Sequence, residues 1–342
     1  MQRGEVPLVR FLTSHSPNAM SLARTITEAL PVNDDSALFR RDVLAGLACD
    51  QKQLPSKYFY DERGSRLFET ICEMDEYYLT GTELDIMRRF APEMGAQIGA
   101  GVMLVEYGSG SGTKTRILLD HLPEPVAYVP VDISGEHLRR TAGQFAQDYP
   151  NIEILPVAAD FTRPFPLPTS ERSPSHAAVY FPGSTIGNFP HEQAMRLLQR
   201  IAPLCGSGGG LLIGIDLRKD VRVIEAAYND QQGATAEFNL NLLYRINREL
   251  DANFELDRFG HLAEYRRDEG RIEMFLVSER DQGVAIGDQV FDFYAGERIL
   301  TEYSHKYTID GFAALAGEAG LSLHRQWTDD REYFAVLHFA VR

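Results

Sequence analysis

Cysteine is scarce: Cys49, Cys72 and Cys205 are the only three in 342 residues, and they are far apart and odd in number. That argues against a disulfide framework and against a zinc site built from paired ligands, so no metal is expected. Basic residues are also short, with 34 Lys and Arg against 49 Asp and Glu and a formal net charge of −15. A polyanion partner needs clustered cations, and no basic stripe is present, so no nucleic acid is expected. No apolar run is long enough to cross a bilayer, and MQRGEVPLVRFLTSHSPN lacks the apolar core of a signal peptide. The expectation is a cytoplasmic protein without a membrane partner. What remains is an ordinary globular composition, 44% hydrophobic and 24% charged, long enough for one large domain or two ordinary ones.

The chain is organised around VMLVEYGSGSGTKTR, Val102 to Arg116. Val102 to Val105 is a short apolar run of the kind a strand buried on both faces shows, and Glu106 and three alternating glycines, Gly108, Gly110 and Gly112, follow it. TRILLDHL then carries Ile117, Leu118 and Leu122 at helical spacing, so the order is strand, glycine loop, helix. Glycine lets the backbone turn sharply and lets a ligand approach, and a helix N-terminus offers free N–H groups. The dinucleotide fingerprint wants glycine or alanine where Thr113 stands, which disfavours a nicotinamide cofactor.

Downstream, strands and helices alternate as in a parallel sheet with crossover helices. AYVPVD ends at Asp132, EILPVAADF is read as a third strand ending at Asp160 and Phe161, and AAVYFPGSTIGNF runs out at Pro182 and Gly183. Asp132 and Asp160 are each open to a cap or turn role as well as a ligand role. Three such strand ends in register with the glycine loop favour a cofactor site. Two helices, Ser21 to Leu30 and Ala37 to Cys49, are expected before an aromatic stretch containing Tyr58, Phe59, Tyr60, Phe68, Tyr77 and Tyr78. Val221 to Leu250 reads as one long helix, with Asn239, Asn241 and Asn247 solvated or capping. HLAEYRR, RIEMFLVSE, QGVAIGDQVFDFY and RILTEYSHKYT suit antiparallel strands, and the chain then returns to the sheet through a helix and two closing strands. In RILTEYSHKYT, Glu302 and Ser304 share one face of a strand. By themselves they suit a solvent-facing pair, but their place just before the return to the sheet would let them close over the cofactor.

Glu106-x-Gly108-x-Gly110-x-Gly112 resembles the first motif of class I S-adenosylmethionine-dependent methyltransferases. Beyond it, YFYDERGSRLFETI, EYY followed by Thr80, PVDIS, DF, FPGSTIGNF, DLRKD with AAYND, FNLNLL and TEYSHKYT resemble the histidine-specific members that make hercynine, the trimethylated betaine of histidine, on the route to ergothioneine. The resemblance runs from about Leu54 nearly to the end. It implies an α/β fold, a class I methyltransferase Rossmann-like sheet with a second, smaller α+β domain. The division expected is an N-terminal extension at 1–18, a discontinuous substrate-binding domain at 19–81 and 219–305, and the S-adenosylmethionine-binding domain at 82–218 and 306–342. It also implies roles. Gly108, Gly110 and Lys114 would lie at the cofactor's methionine end, Asp132 would hold its ribose, and Asp160 with Phe161 would flank its adenine. Gly183, Asn188 and Tyr228 would grip the substrate's amino-acid end, with Tyr60 and Tyr77 nearby. Glu302 and Ser304 would hold the imidazole, and Met274 would line its pocket. Tyr303 and His305 depart from the family's usual neighbours, and strand alternation turns them away from the Glu302 face.

The residue types suit the chemistry. An α-amine must shed a proton before attacking a sulfonium methyl, and a tyrosine hydroxyl such as that of Tyr60 can accept its hydrogen bond and pass the proton toward water. Each methylation removes an N–H donor, and an aromatic wall suits the resulting quaternary cation. The rival substrate is another amino acid such as a tryptophan derivative, which Glu302 and Ser304 disfavour because indole offers one N–H and no acceptor. The rival class is a non-catalytic S-adenosylmethionine-binding protein, which the full set of polar candidates disfavours. A separate sulfur-inserting enzyme downstream is the partner that the pathway implies.

Overall fold

The computed structural model describes residues 35–110, 112–133 and 135–342. The expected N-terminal extension and the helix expected at Ser21 to Leu30 lie outside the described residues. Among the described residues three helices come first: α1 (Asp35–Leu47), α2 (Glu62–Cys72) and α3 (Tyr78–Ile98). The alternating part follows as β1 (Val102–Tyr107), α4 (Thr113–Leu119), β2 (Ala127–Asp132), α5 (Gly135–Asp148), β3 (Glu153–Ile154), β4 (Val157–Ala158), β5 (His176–Phe181), α6 (His191–Cys205) and β6 (Gly210–Asp216). Then come α7 (Val221–Ala226), α8 (Ala234–Leu250) and five strands, β7 (Phe259–Arg266), β8 (Arg271–Ser278), β9 (Gln282–Ile286), β10 (Gln289–Phe293) and β11 (Arg298–His305). The chain closes with α9 (Ile309–Glu318), β12 (Leu321–Thr328) and β13 (Phe334–Val341).

The main sheet has eight strands in the order β12-β13-β6-β5-β1-β2-β3, with β4 also paired to β2. Neighbours from β6 to β3 are parallel, while β13 runs antiparallel to β6 and β12 antiparallel to β13. The period-two rule separates its faces. Val105, Val129, Val179, Ile213 and Leu337 pack with α6 and α9, and Leu104, Tyr128, Tyr180, Leu212 and Val336 pack with α3 and α5. A third core joins Phe39 and Val43 of α1, Ile71 of α2, Phe238 and Leu242 of α8, and Met274 and Leu276 of β8. It covers a smaller antiparallel sheet, β11-β8-β7, beside the two-stranded β9–β10 hairpin. The α/β class with a second, smaller α+β body is therefore what forms. The 81/82 boundary falls inside α3, a continuous helix that passes from one body to the other.

Three expectations are corrected. The long helix from Val221 to Leu250 is broken: α7 ends at Ala226, and α8 starts after Gly233, whose φ is +76°. Asp230 makes the break by accepting the N–H groups of Ala234 and Thr235, each at 2.8 Å. The asparagines of α8 are not solvated, since Asn239 and Asn241 are fully buried. Asn239 donates to the Phe275 carbonyl at 3.0 Å, Asn241 accepts from Arg63 at 2.7 Å and donates to Asp61 at 2.8 Å, and Asn247 bonds both backbone groups of Phe254. A buried amide is tolerated where it finds partners, and of these groups Asn239 Oδ1 alone has none among the described residues. Finally, the third parallel strand is two short pieces, β3 and β4, interrupted around Pro156 and ending before Asp160. Proline has no N–H to give a ladder.

Candidate active site

Above the C-terminal ends of β1, β2, β4 and β5 lies a cavity of about 1090 Å³. Its place, on either side of the central strand where the strand order reverses, is where open parallel sheets bind ligands. It is large enough for two small molecules side by side, since single-ligand pockets start at about 300 Å³. Every residue expected to bind cofactor or substrate borders it: Tyr60, Tyr77, Gly108, Gly110, Lys114, Asp132, Asp160, Phe161, Gly183, Asn188, Tyr228, Met274, Glu302 and Ser304.

The glycine loop forms one end. Gly108 and Gly110 have φ of +76° and +44°, and a Cβ on either would enter open space, so the backbone itself faces the cavity. Ser109 carries a buried hydroxyl that no described group satisfies. An orphan hydroxyl beside bare backbone, with the carboxylates of Asp132 and Asp160 bordering the same cavity, fits S-adenosylmethionine, whose ribose and amino group offer donors. Glu106 faces inward instead: it accepts the Thr115 hydroxyl at 2.7 Å and that of Tyr128, anchoring α4 beneath the loop. Burial, opposed by those two hydrogen bonds, pushes its pKa up to about 8. Phe161 stacks on Tyr107 with centroids 5.1 Å apart and meets Phe189 edge-on, giving a flat apolar wall. Asp160 holds the Thr162 backbone at 3.0 Å and lies 3.7 Å from Lys57, which also pairs with Asp42 of α1 at 3.1 Å.

At the other end the rings of Tyr60, Phe68, Tyr77 and Tyr228 form an edge-to-face series with centroid spacings of 5.5, 6.1 and 6.3 Å, and Phe238 backs Tyr60 at 5.6 Å. Burial, with the nearby charge of Glu302 next, lifts the Tyr60 phenol well above its usual pKa, so it stays neutral. Strand β11 lies alongside. Glu302 is in register with Met274 of β8, and Ser304 faces the same cavity. No described group hydrogen-bonds to the Glu302 carboxylate. Burial, opposed by Lys306, pushes its pKa up to about 7. The Tyr228 hydroxyl, expected at the amino-acid end, lies 2.7 Å from Ser304 Oγ, while its ring faces Tyr77. Tyr303 leans on Arg271 and His305 sits over the turn at Gly187, where a Cβ would come within 2.8 Å of the His305 carbonyl. That close approach seats the Thr185–Asn188 turn, and so Asn188, against β11.

Two buried acids escaped the sequence reading. Glu83 of α3 accepts the Gly183 N–H at 2.9 Å and pairs with Lys114, tying the β5 turn to the glycine loop. Asp216, the last residue of β6, takes the Tyr78 hydroxyl at 2.8 Å, Lys219, and Lys306 at 2.7 Å. Neither shows in a local pattern, because their partners are far away in the chain. The one available signal was Asp216 closing a fully apolar strand, as Asp132 does.

A glycine turn after the central strand, an acid at the end of the adjacent β2 and a closing antiparallel hairpin define a class I S-adenosylmethionine-dependent methyltransferase. A profile described as "Histidine-specific methyltransferase, SAM-dependent" matches residues 39–341. The chain is 40% identical to the Histidine N-alpha-methyltransferase of Mycolicibacterium smegmatis, over 93% of this chain and 99% of that one. It is also 40% identical to the Histidine N-alpha-methyltransferase of Mycobacterium tuberculosis, over 87% and 93%. Ergothioneine biosynthesis protein 1 of Neurospora crassa is 34% identical over 82% of this chain and 32% of that protein. This chain belongs to the histidine-specific, S-adenosylmethionine-dependent methyltransferase family.

Proposed function

We propose that this enzyme transfers three methyl groups in succession from S-adenosylmethionine to the α-amino group of L-histidine, giving hercynine for ergothioneine biosynthesis. The observation that carries this reading is the Glu302 carboxylate, set in the cavity wall with no hydrogen-bond partner among the described residues and two residues from Ser304, in the same cavity as the glycine loop. The names of the relatives support the substrate and the pathway, the latter implying a downstream sulfur-inserting enzyme. In this reading residues 219–305 with the helices before residue 82 form the substrate-binding part, and 82–218 with 306–342 the cofactor-binding part.

S-adenosylmethionine supplies an electrophilic methyl on a sulfonium. Gly108, Gly110 and Lys114 hold its methionine end, Asp132 its ribose, and Asp160 with Phe161 its adenine. Gly183 and Asn188 hold the substrate's amino-acid end, Met274 packs against the ring, and Glu302 accepts the imidazole N–H. The chain's main task is placement, because in-line transfer needs the amine within about 3 to 3.5 Å of the methyl. Tyr60, neutral in its buried site, accepts a hydrogen bond from the ammonium and passes the proton toward water. As N–H groups are lost, the faces of Tyr60, Phe68 and Tyr77 take over the growing cation. Incubating the protein with L-histidine and methyl-labelled S-adenosylmethionine and following mass tests this directly: histidine should gain up to three methyl groups, and none would overturn the reading.

Two further outcomes are expected. Tyr60→Phe keeps the ring but removes the hydroxyl, so kcat should fall by about 10² while the KM for histidine stays within threefold; an unchanged kcat takes Tyr60 off the proton path. Histidine affinity should also depend on pH. Glu302 gains its charge as pH rises through about 7, and free imidazole loses its own proton near 6.5. Affinity should therefore climb from about pH 5.5 and level off above about 7.5, with a shallower climb in Glu302→Gln. Titration calorimetry giving a flat profile would contradict this.

A further inference from the structure

The cavity wall behind Ser304 holds a charge that the mechanism above leaves unused. Lys306 is 2% exposed and does not border the cavity, yet its ammonium lies 2.7 Å from Asp216 Oδ2, 2.9 Å from the Tyr228 hydroxyl and 2.8 Å from Ser304 Oγ. An ammonium has three protons to donate and accepts nothing, so these three contacts use all of it. Tyr228 and Ser304, both bordering the cavity, are themselves 2.7 Å apart. The triangle can be counted. Each hydroxyl oxygen already accepts from Lys306, and one of the two hydroxyl protons is spent on the bond between them. A single O–H remains, on whichever of the two hydroxyls does not donate to the other, and both residues border the cavity.

We propose that Lys306 is a positioning residue for substrate recognition: it fixes the Tyr228–Ser304 pair with Tyr228 donating to Ser304, so that Ser304 presents one outward donor, beside the Glu302 acceptor, to a ring bearing one N–H and one bare nitrogen. This deepens the histidine reading and rests on it. Neutral imidazole matches an acceptor and a donor set side by side. Imidazolium would point a second N–H at an outgoing O–H, and an indole or pyrrole ring would leave the Ser304 proton buried without an acceptor. Asp216 holds Lys306 in place, with Lys219 and Tyr78 completing the set of groups around that carboxylate. Burial works against the charge on Lys306, but Asp216 and Tyr228 outweigh it and keep the amine protonated.

The test is a double-mutant cycle read by histidine binding. Lys306→Met should weaken histidine binding by about 10- to 100-fold, as expected when a buried donor loses its orientation, with S-adenosylmethionine affinity held within about twofold. In a Ser304→Ala background the same change should weaken histidine binding by less than about threefold, because the group it positions is gone. Additive losses would overturn the proposal. A second measurement needs no variant. On the unaltered enzyme, pyrrolylalanine, with N–H but no bare nitrogen, and thiazolylalanine, with the reverse, should each bind at least about tenfold more weakly than histidine. Pyrrolylalanine binding as tightly as histidine would overturn the outward donor, and this series decides the matter if Lys306→Met loses its fold. Failure of the unaltered enzyme to bind histidine at all would instead overturn the substrate reading, and this proposal with it.

Discussion

Replacing Glu302 with alanine should weaken histidine binding by about 100-fold while leaving S-adenosylmethionine binding within about twofold. The carboxylate has no hydrogen-bond partner among the described residues, and a hydrogen bond to a charged group contributes about 1.5 to 3 kcal/mol. Loss of the acceptor also leaves the substrate's N–H buried and unpaired, which adds to the effect. The cofactor end is unaffected because Glu302 sits on β11, whereas the glycine loop is carried by β1 and α4. Calorimetry of both ligands checks this. Equal weakening of both would mean that Glu302 shapes the cavity as a whole and does not read the ring.

The second large effect is expected at Glu83. This side chain is wholly inaccessible to solvent, pairs with Lys114 and accepts the Gly183 N–H at 2.9 and 3.1 Å. Gly214 is small for its sake, since a Cβ there would lie 2.3 Å from Glu83 Oε1. Glu83→Ala strands the Gly183 N–H and leaves Lys114 without its partner. Lys114 can reach solvent, so the loss falls below the full penalty of a broken buried ion pair, at about 2 to 4 kcal/mol. Because it seats Lys114, which the proposed reading puts at the cofactor's methionine end, S-adenosylmethionine affinity should drop at least about tenfold as well. Glu83→Gln retains an acceptor for Gly183 and should recover part of the stability. Urea unfolding that shows less than about 0.5 kcal/mol of change in Glu83→Ala would remove this cross-link from the account.

The parts that were legible in the sequence share a property: their evidence is local. Val102 to Val105 followed by three alternating glycines announces a strand, a loop and a helix within fifteen letters, and the acid at Asp132 closes a strand in plain view. Strand alternation puts Glu302 and Ser304 on one face, and only the resemblance gives that face a role. Where the reading missed, the deciding partner lay elsewhere in the chain. Asn239 and Asn241 look like surface amides until β8, Arg63 and Asp61 are brought against them. Glu83 sits on an otherwise ordinary helical face, and only the fold delivers Lys114 and Gly183 to it. Lys306 sits inside a motif quoted in full, yet its meaning depends on Asp216 from a different sheet. The break in the long helix was visible in principle, because Asp230 three residues before Gly233 is a cap followed by a left-handed turn.

The measurement closest to the central claim is a crystal structure of the enzyme with L-histidine and S-adenosylhomocysteine. One imidazole nitrogen should lie within hydrogen-bond distance of the Glu302 carboxylate and the other within reach of Ser304 Oγ, with the α-amine turned toward the cofactor's sulfur. An imidazole bound elsewhere in the cavity, with Glu302 facing only water, would contradict it.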